Sequence, residues 1–419
     1  MSNFDEKDLL TRELRERAAD VDGHPIGFDA VRQSARKIRR RRNIVTGAVA
    51  AVVASIAIPT GVAVTSAITS PDGKVDDQIV ATDPSEKASP EPAPDPRPDG
   101  SFPLTLEGLP RGDDPKVSYV LPNEQMLVTP DGRFDLPEAY RQILPYRDGW
   151  LALYGGENGW ENVILDADLE VRRTMPGGAA LSPSADGSRV LYGERVTVPG
   201  RTVVVDDPTE SDFERDPMNW EAPDNSIVVP VGYVDEQTVV FQTEGGENPF
   251  IAMGLPDGST VPLEGFQRVN SASEANGLVA GQVSSDPMEG ACSGVMDPAA
   301  STSKMVWETC DYTLYEFSPD GRYIIAGPTY VDMWGPSQLI ILDTQTWKPV
   351  VEFDPENDTV RQLTQTTWED EDTVIGILVE GNDMGMVRAE LSGRLESVSS
   401  TYEATDMSLQ MWFAERPSF

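Results

Sequence analysis

The chain has 419 residues and a formal net charge of -37, from 70 acidic against 33 basic side chains, with a single histidine. An acidic excess of this size excludes nucleic acid as a partner, because phosphate backbones need cationic neutralisation. The charge is also divided: residues 1–43 carry 11 Lys/Arg and 8 Asp/Glu, a net of +3, and the rest of the chain a net of -40. The two parts are therefore built for different surroundings.

In chain order, residues 1–43 predict two short amphipathic helices. Ser2 and Asp5 have the spacing of a capping box, and Leu10, Leu14, Ala18 and Val21 then fall on one helical face. The stretch Asp22–Gly27 breaks the pattern before Phe28, Val31, Ala35 and Ile38 resume it. Helices of this size cannot build a core alone. Leu10, Leu14, Phe28, Val31 and Ile38 are the candidate contacts with a cytoplasmic protein that takes a helix in a groove. The lipid of the inner leaflet is the alternative partner.

Residues 44–68 form an uncharged run, "IVTGAVAAVVASIAIPTGVAVTSAI". Some 20 helical residues cross a hydrocarbon core of roughly 30 Å, so this run predicts a transmembrane helix. Arg36, Lys37, Arg39, Arg40, Arg41 and Arg42 precede it and mark the membrane interface. Positive charge stays cytoplasmic, which places the amino end inside and the rest outside the cell membrane as a single-pass protein. A cleaved secretory signal, with a small-residue site at Val64–Ala67, is the alternative. Residues 69–101 are rich in Pro, Asp and Glu and predict a disordered, extended spacer.

Residues 102–419 carry a repeat. "YEFSPDGRYIIAG" (Tyr315–Gly327) runs from a strand through a Ser-Pro-Asp-Gly turn into an apolar strand, and "LSPSADGSRVLYGE" (Leu181–Glu194) repeats it with two residues inserted. The turn follows known chemistry: Pro presets φ, Gly takes φ > 0, and Asp bonds back to the backbone. Strands after such acidic turns begin near Trp150, Val190, Val239, Ile324 and Val374, with "NGLVAGQV" (Asn276–Val283) filling the double gap. A period in the forties, with several short strands per unit and no helical pattern, predicts an all-β propeller of six to eight blades, seven favoured. Val117–Pro137 and Met407–Glu415 supply the seventh by pairing the two ends of the domain, which hides its edges. A pair of β-sandwiches is the alternative fold.

Cys292 and Cys310 are the only cysteines, and an even count in an oxidising compartment predicts a disulfide. It would close about 19 residues and contribute on the order of 3 kcal/mol in the chain-entropy view. The enclosed "CSGVMDPAASTSKMVWETC" reads as a long polar insertion, either a stapled loop or a binding edge. His24 is the one histidine, so the outer domain has no Ser-His-Asp or Cys-His catalysis and no His-ligated zinc. "WEDED" (Trp368–Asp372) and "DDPTESDFERD" (Asp206–Asp216) lack the spacing of a calcium loop and read as solvated turns. No metal or cofactor is expected. The expectation is a protein without enzymatic activity, with a carboxylate-dependent glycosidase as the catalytic alternative.

"SPDGRYIIAG" followed by "LIILDTQT" (Leu339–Thr346) resembles the WD-repeat-like propellers of bacterial envelopes, including that of the Tol system. The overall layout, with "LLTRELRERAADV" (Leu9–Val21), the Arg run, one span, a Pro-rich spacer and an outer propeller, resembles actinobacterial membrane proteins associated with extracytoplasmic-function sigma factors. The zinc-binding His and Cys motif of many anti-sigma factors is absent from it. What the resemblance implies is a sigma factor held inside and a sensor for an extracellular protein, peptide or glycan outside. A cell-envelope binding or assembly protein with no signalling role is the alternative.

Overall fold

The structure is a computed structural model that describes residues 95–414, except 147, 157–158, 177, 185–188, 195–202, 207–217, 221–226, 245–249, 287–289, 300–303, 330–334, 356–360 and 404–410. The chain divides into units Met1–Lys87 and Ala88–Phe419, and every described residue belongs to the second. The expected cytoplasmic contacts Leu10, Leu14, Phe28, Val31 and Ile38, the interface cluster Arg36–Arg42, the membrane run and most of the spacer lie outside the described residues. Among the described residues, no helix is long and apolar enough to cross a membrane.

The described chain folds into a β-propeller of antiparallel sheets. Six sheets use strands consecutive in sequence. Sheet II is Tyr140–Tyr146, Gly149–Gly156, Gly159–Leu165 and Val171–Pro176; sheet III is Gly178–Pro183, Val190–Glu194, Val203–Asp206 and Met218–Trp220. Sheet IV is Ile227–Tyr233, Val239–Glu244, Ile251–Gly254 and Thr260–Pro262; sheet V is Arg268–Ala272, Val279–Asp286, Gly290–Asp297 and Lys304–Thr309. Sheet VI is Tyr312–Phe317, Tyr323–Pro328, Leu339–Asp343 and Pro349–Pro355; sheet VII is Arg361–Trp368, Thr373–Glu380, Asp383–Glu390 and Leu395–Ser397. The composite sheet I joins both ends of the domain, with Trp412–Phe413 beside Tyr119–Leu121, Met126–Thr129 and Gly132–Asp135.

First strands face first strands around the axis. Gln142 of sheet II donates from Nε2 to the Leu181 carbonyl of sheet III at 2.7 Å and accepts from Leu181 N at 2.9 Å. Gln242, on the second strand of sheet IV, clamps Val269 of sheet V in the same reciprocal way. The ring closes where Phe413 N donates to Gln365 Oε1 at 2.8 Å, and Ile143 N to the Ala414 carbonyl at 2.7 Å.

Each seam between neighbouring sheets holds its own apolar cluster. Leu191, Trp220 and Phe241 fill the III–IV seam, Val240, Met253 and Val279 the IV–V seam, and Ile325, Phe353 and Val374 the VI–VII seam. Tyr119, Ile377 and Phe413 fill the one at the closure. Because both faces of a sheet are covered, a central strand such as Tyr323–Pro328 is buried along nearly its whole length. This explains why the repeat reads as continuous apolar runs and not as strict alternation.

The turn in the opening repeat shows why its residues recur. Ser318 Oγ accepts from Tyr323 N at 3.0 Å and donates to Asp320 Oδ1 at 2.7 Å, while Gly321 N donates to the Ser318 carbonyl at 2.9 Å. Gly321 has φ +71, and a Cβ there would sit 2.8 Å from Asn276 Nδ2. That Asn276 amide belongs to the equivalent turn of sheet V and donates to the Gly321 carbonyl at 2.6 Å. Turn chemistry thus doubles as contact between neighbouring sheets.

Candidate functional site

In a four-stranded meander the first and third turns emerge at the same end of the sheet, so the propeller gathers them on one face. Arg189, at the first turn of sheet III, organises that face. Its guanidinium lies 4.3 Å from the centre of the Tyr233 ring, donates to the Glu236 carbonyl of sheet IV, and pairs with Glu274 of sheet V. Asp235 beside it would be pushed up by burial. Hydrogen bonds from Gln237 and Thr238, with the charge of Arg189, outweigh that and hold its carboxyl below the usual range. Further round, Trp368 of sheet VII donates from Nε1 to the Glu316 carbonyl of sheet VI at 3.2 Å.

Several cations of this face pair with the protein's own carboxylates. Arg172 pairs with Asp148 at 2.9 Å, Lys116 with Asp370 at 2.8 Å, and Arg322 with Asp320 at 3.8 Å. Glu236, Glu371 and Asp372 stand exposed at the tips of first turns. The surface can therefore present negative charge in fixed positions, on a scaffold locked by interturn bonds. A surface of this kind attracts positive charge.

A second feature was not legible in the sequence. Phe102–Leu104 adds a fifth strand to the outer edge of sheet VI, parallel to Phe353–Pro355, and the chain then straps across sheet VII. Glu380 accepts from Thr105 Oγ1 at 3.0 Å and from Leu106 N at 2.6 Å, and it also pairs with Arg361. Ser397 N donates to the Pro110 carbonyl and Gly112 N to the Ser397 carbonyl, both at 2.9 Å. Arg388 pairs with Glu369 and with Glu396 (2.7 Å), and donates to the carbonyls of Asp113 and Asp114 at 3.2 Å. Glu369 in turn accepts from Lys116 N at 2.7 Å. The Glu369 side chain is 1% exposed, so "WEDED" is not merely a solvated turn: one of its carboxylates is buried and seats the strap. The Phe102 ring packs against Gly393, where a Cβ would lie 2.1 Å from it, so only glycine fits.

The expected disulfide joins Cys292 and Cys310. The residues it encloses are not an inserted loop, as their polarity suggested. They are the outer hairpin of sheet V, Gly290–Asp297 and Lys304–Thr309, in register from Ser293 opposite Thr309. Both cysteines line an open cleft of about 440 Å³ with Gly265, Val283, Ser284, Met305, Glu308 and Thr309. Of the tryptophans, Trp220 and Trp368 are buried between sheets, Trp307 and Trp347 stack at 4.8 Å across the V–VI seam, and Trp160 is exposed. Among the described residues, no group of three His, Cys, Asp or Glu side chains converges as a metal site.

No known family and no curated protein matches the sequence. Solved structures resemble the fold. The β-propeller domain of the trilobed protease from Pyrococcus furiosus is 13% identical with a TM-score of 0.44, over 62% of this chain and 84% of that one. A puromycin-hydrolyzing peptidase from Mycobacterium tuberculosis is 14% identical with a TM-score of 0.43, over 74% and 56%. TolB from Acinetobacter baumannii is 14% identical with a TM-score of 0.38, over 71% and 67%. The likeness is one of fold and concerns the propeller; the layout shared with sigma-factor-associated membrane proteins finds no support in it. Peptidases stand among the structures that resemble this chain, and the expectation of a protein without enzymatic activity does not stand.

Proposed function

We propose that this chain is a tethered binding propeller whose turn face recruits a cationic segment of a partner protein or peptide in the cell envelope. One observation carries the reading: on that face Arg189, Arg172 and Lys116 are paired with the protein's own carboxylates, while Glu236, Glu371 and Asp372 stand exposed. Complementary charge of this kind steers encounter and fixes orientation more than it adds affinity. The uncharged run 44–68 and the Arg36–Arg42 cluster support a tether in the membrane, with the propeller outside. Retention of a cytoplasmic partner such as a sigma factor by Leu10, Leu14, Phe28, Val31 and Ile38 is the finer part of the proposal and rests on their helical spacing alone.

The test is calorimetric titration of the full-length chain with a Lys/Arg-rich peptide and with its Gln-substituted control. The charged peptide binds, the control does not, and the triple variant Glu236→Gln/Glu371→Gln/Asp372→Asn loses about tenfold in affinity, roughly 0.5 kcal/mol for each rim charge. Equal binding of both peptides, or no effect of the triple variant, contradicts the reading.

A further inference from the structure

We infer that the Cys292–Cys310 bond is a thiol–disulfide exchange site, open to a dithiol reductant in the folded protein. Three features of the outer hairpin of sheet V carry this. First, the bond is accessible: both cysteines line the open cleft, and Cys310 is exposed at the end of the outermost strand. Exposed disulfides are the ones that exchange, because the attacking thiolate must reach a sulfur in line with the bond it breaks.

Second, the fold holds the two residues opposite each other without the bond. Ser293 pairs with Thr309, Gly294 with Glu308 and Val295 with Trp307, so the next pair outward is Cys292 and Cys310. Their Cα atoms are 4.1 Å apart, the spacing of a non-hydrogen-bonded antiparallel pair. Ser284 of the second strand pairs with Cys292 from the other side and fixes that strand independently. A reduced pair therefore stays poised to reoxidise, which makes the change reversible.

Third, the bond stands where a change is transmitted. Asp311 alone separates Cys310 from Tyr312, the start of the first strand of sheet VI. Trp307, three residues before Cys310, stacks on Trp347 of sheet VI at 4.8 Å. The stack and the short crossover place the V–VI seam under the control of the outermost strand.

The chemistry balances. A thiolate of the dithiol attacks Cys310 Sγ, the Cys292–Cys310 bond breaks, and Cys292 leaves as a thiolate that takes up a proton. The second thiol of the reductant, giving up its proton, then attacks its own sulfur in the mixed disulfide and releases Cys310 as a thiol. Two electrons and two protons pass from the dithiol, which leaves as its cyclic disulfide.

The experiment exposes the folded full-length chain to dithiothreitol without denaturant, then counts alkylated Cys292 and Cys310 by mass spectrometry while recording tryptophan emission. The expected result is alkylation of both cysteines at least about tenfold faster than global unfolding. Hydrogen exchange rises in Lys304–Thr309 and Tyr312 only, emission shifts as the Trp307–Trp347 stack loosens, and oxidised dithiothreitol restores both. Alkylation that keeps pace with global unfolding, or reduction that unfolds every sheet together, would show a purely structural staple. The Cys292→Ser variant gives a second reading: its free Cys310 forms a mixed disulfide with glutathione disulfide in the folded state. Failure to do so in a variant whose other sheets keep their exchange protection would overturn the accessibility on which the inference rests.

Discussion

Glu380, at the end of the second strand of sheet VII, accepts a hydrogen bond at 2.6 Å from the backbone N–H of Leu106, 274 residues earlier in the chain. The contact ties the strap to the ring just ahead of Tyr119–Leu121, which closes sheet I through the pairs Tyr119–Phe413 and Val120–Trp412 and a bond from Ala414 N to the Ser118 carbonyl at 2.9 Å. Any pull from the upstream chain meets the strap before it meets that short closure.

Removing this carboxylate takes away an ion-pair partner of the buried Arg361 and the acceptor for Leu106 N and Thr105 Oγ1. We expect Glu380→Ala to cost on the order of 3 kcal/mol, seen as a lower urea midpoint. Hydrogen exchange should increase first at Leu106 and next at Tyr119–Leu121. Unchanged protection at Leu106 would show that the strap is held without Glu380.

The same site predicts an acid response. Burial would raise the Glu380 carboxyl, but hydrogen bonds from Arg361, Leu106 and Thr105 outweigh it and hold the group below its ordinary value. Asp370, likewise opposed by burial, is lowered by Lys116 and Thr373. A depressed folded value means that the unfolded chain binds protons first. The stabilisation is complete above the unfolded value, near 4.3 for Glu, and is lost as pH falls through the lower folded value. Urea midpoints measured from pH 7 down to pH 3 should fall on acidification, and fall less steeply in Glu380→Gln.

Gly321 tests the turn chemistry of the repeat. Its φ of +71 disfavours any side chain, and a new Cβ meets Asn276 at 2.8 Å. Gly321→Ala should cost roughly 1–2 kcal/mol for the left-handed backbone, more if Asn276 also loses its bond. Thermal unfolding measures it, and a neutral result would mean that the turn can relax without the seam noticing.

Much of the propeller was legible because the Ser-Pro-Asp-Gly turn is local chemistry. Ser318, Asp320 and Gly321 satisfy one another within a few residues, and each turn is followed by an apolar strand. The strap was not legible, for physical reasons. Phe102–Leu104 is three residues long, contains Pro103, and pairs with residues some 250 positions away. Nothing in the order of residues tells that Glu369, Glu380 and Glu396 are buried against Arg388 and Arg361 while Glu371 and Asp372 are solvated. The outer hairpin of sheet V reads as a loop for a related reason. Lys304–Thr309 alternates exposed and half-buried side chains at a sheet edge, which dilutes its apolar signal to that of a loop. On the turn face, Arg189 carried no signal at all, since its partners Glu236 and Glu274 belong to two other sheets.

The Trp307–Trp347 stack should bind sheets V and VI more than its area alone implies. A double-mutant cycle with Trp307→Ala and Trp347→Ala is expected to give a coupling of about 1 kcal/mol. Trp347 has φ +56, so its own substitution also changes backbone strain, which the cycle cancels. A coupling near zero would make the stack incidental.

The most direct test of a cation-binding turn face is a hydrogen-exchange footprint of the full-length chain with a saturating Lys/Arg-rich peptide. The expected result is protection gathered on the first turns of sheets IV, V and VII, around Glu236, Glu274 and Glu371, weakening as salt is raised. Protection at the opposite end of the sheets, or along the outer edges with no salt dependence, would contradict it.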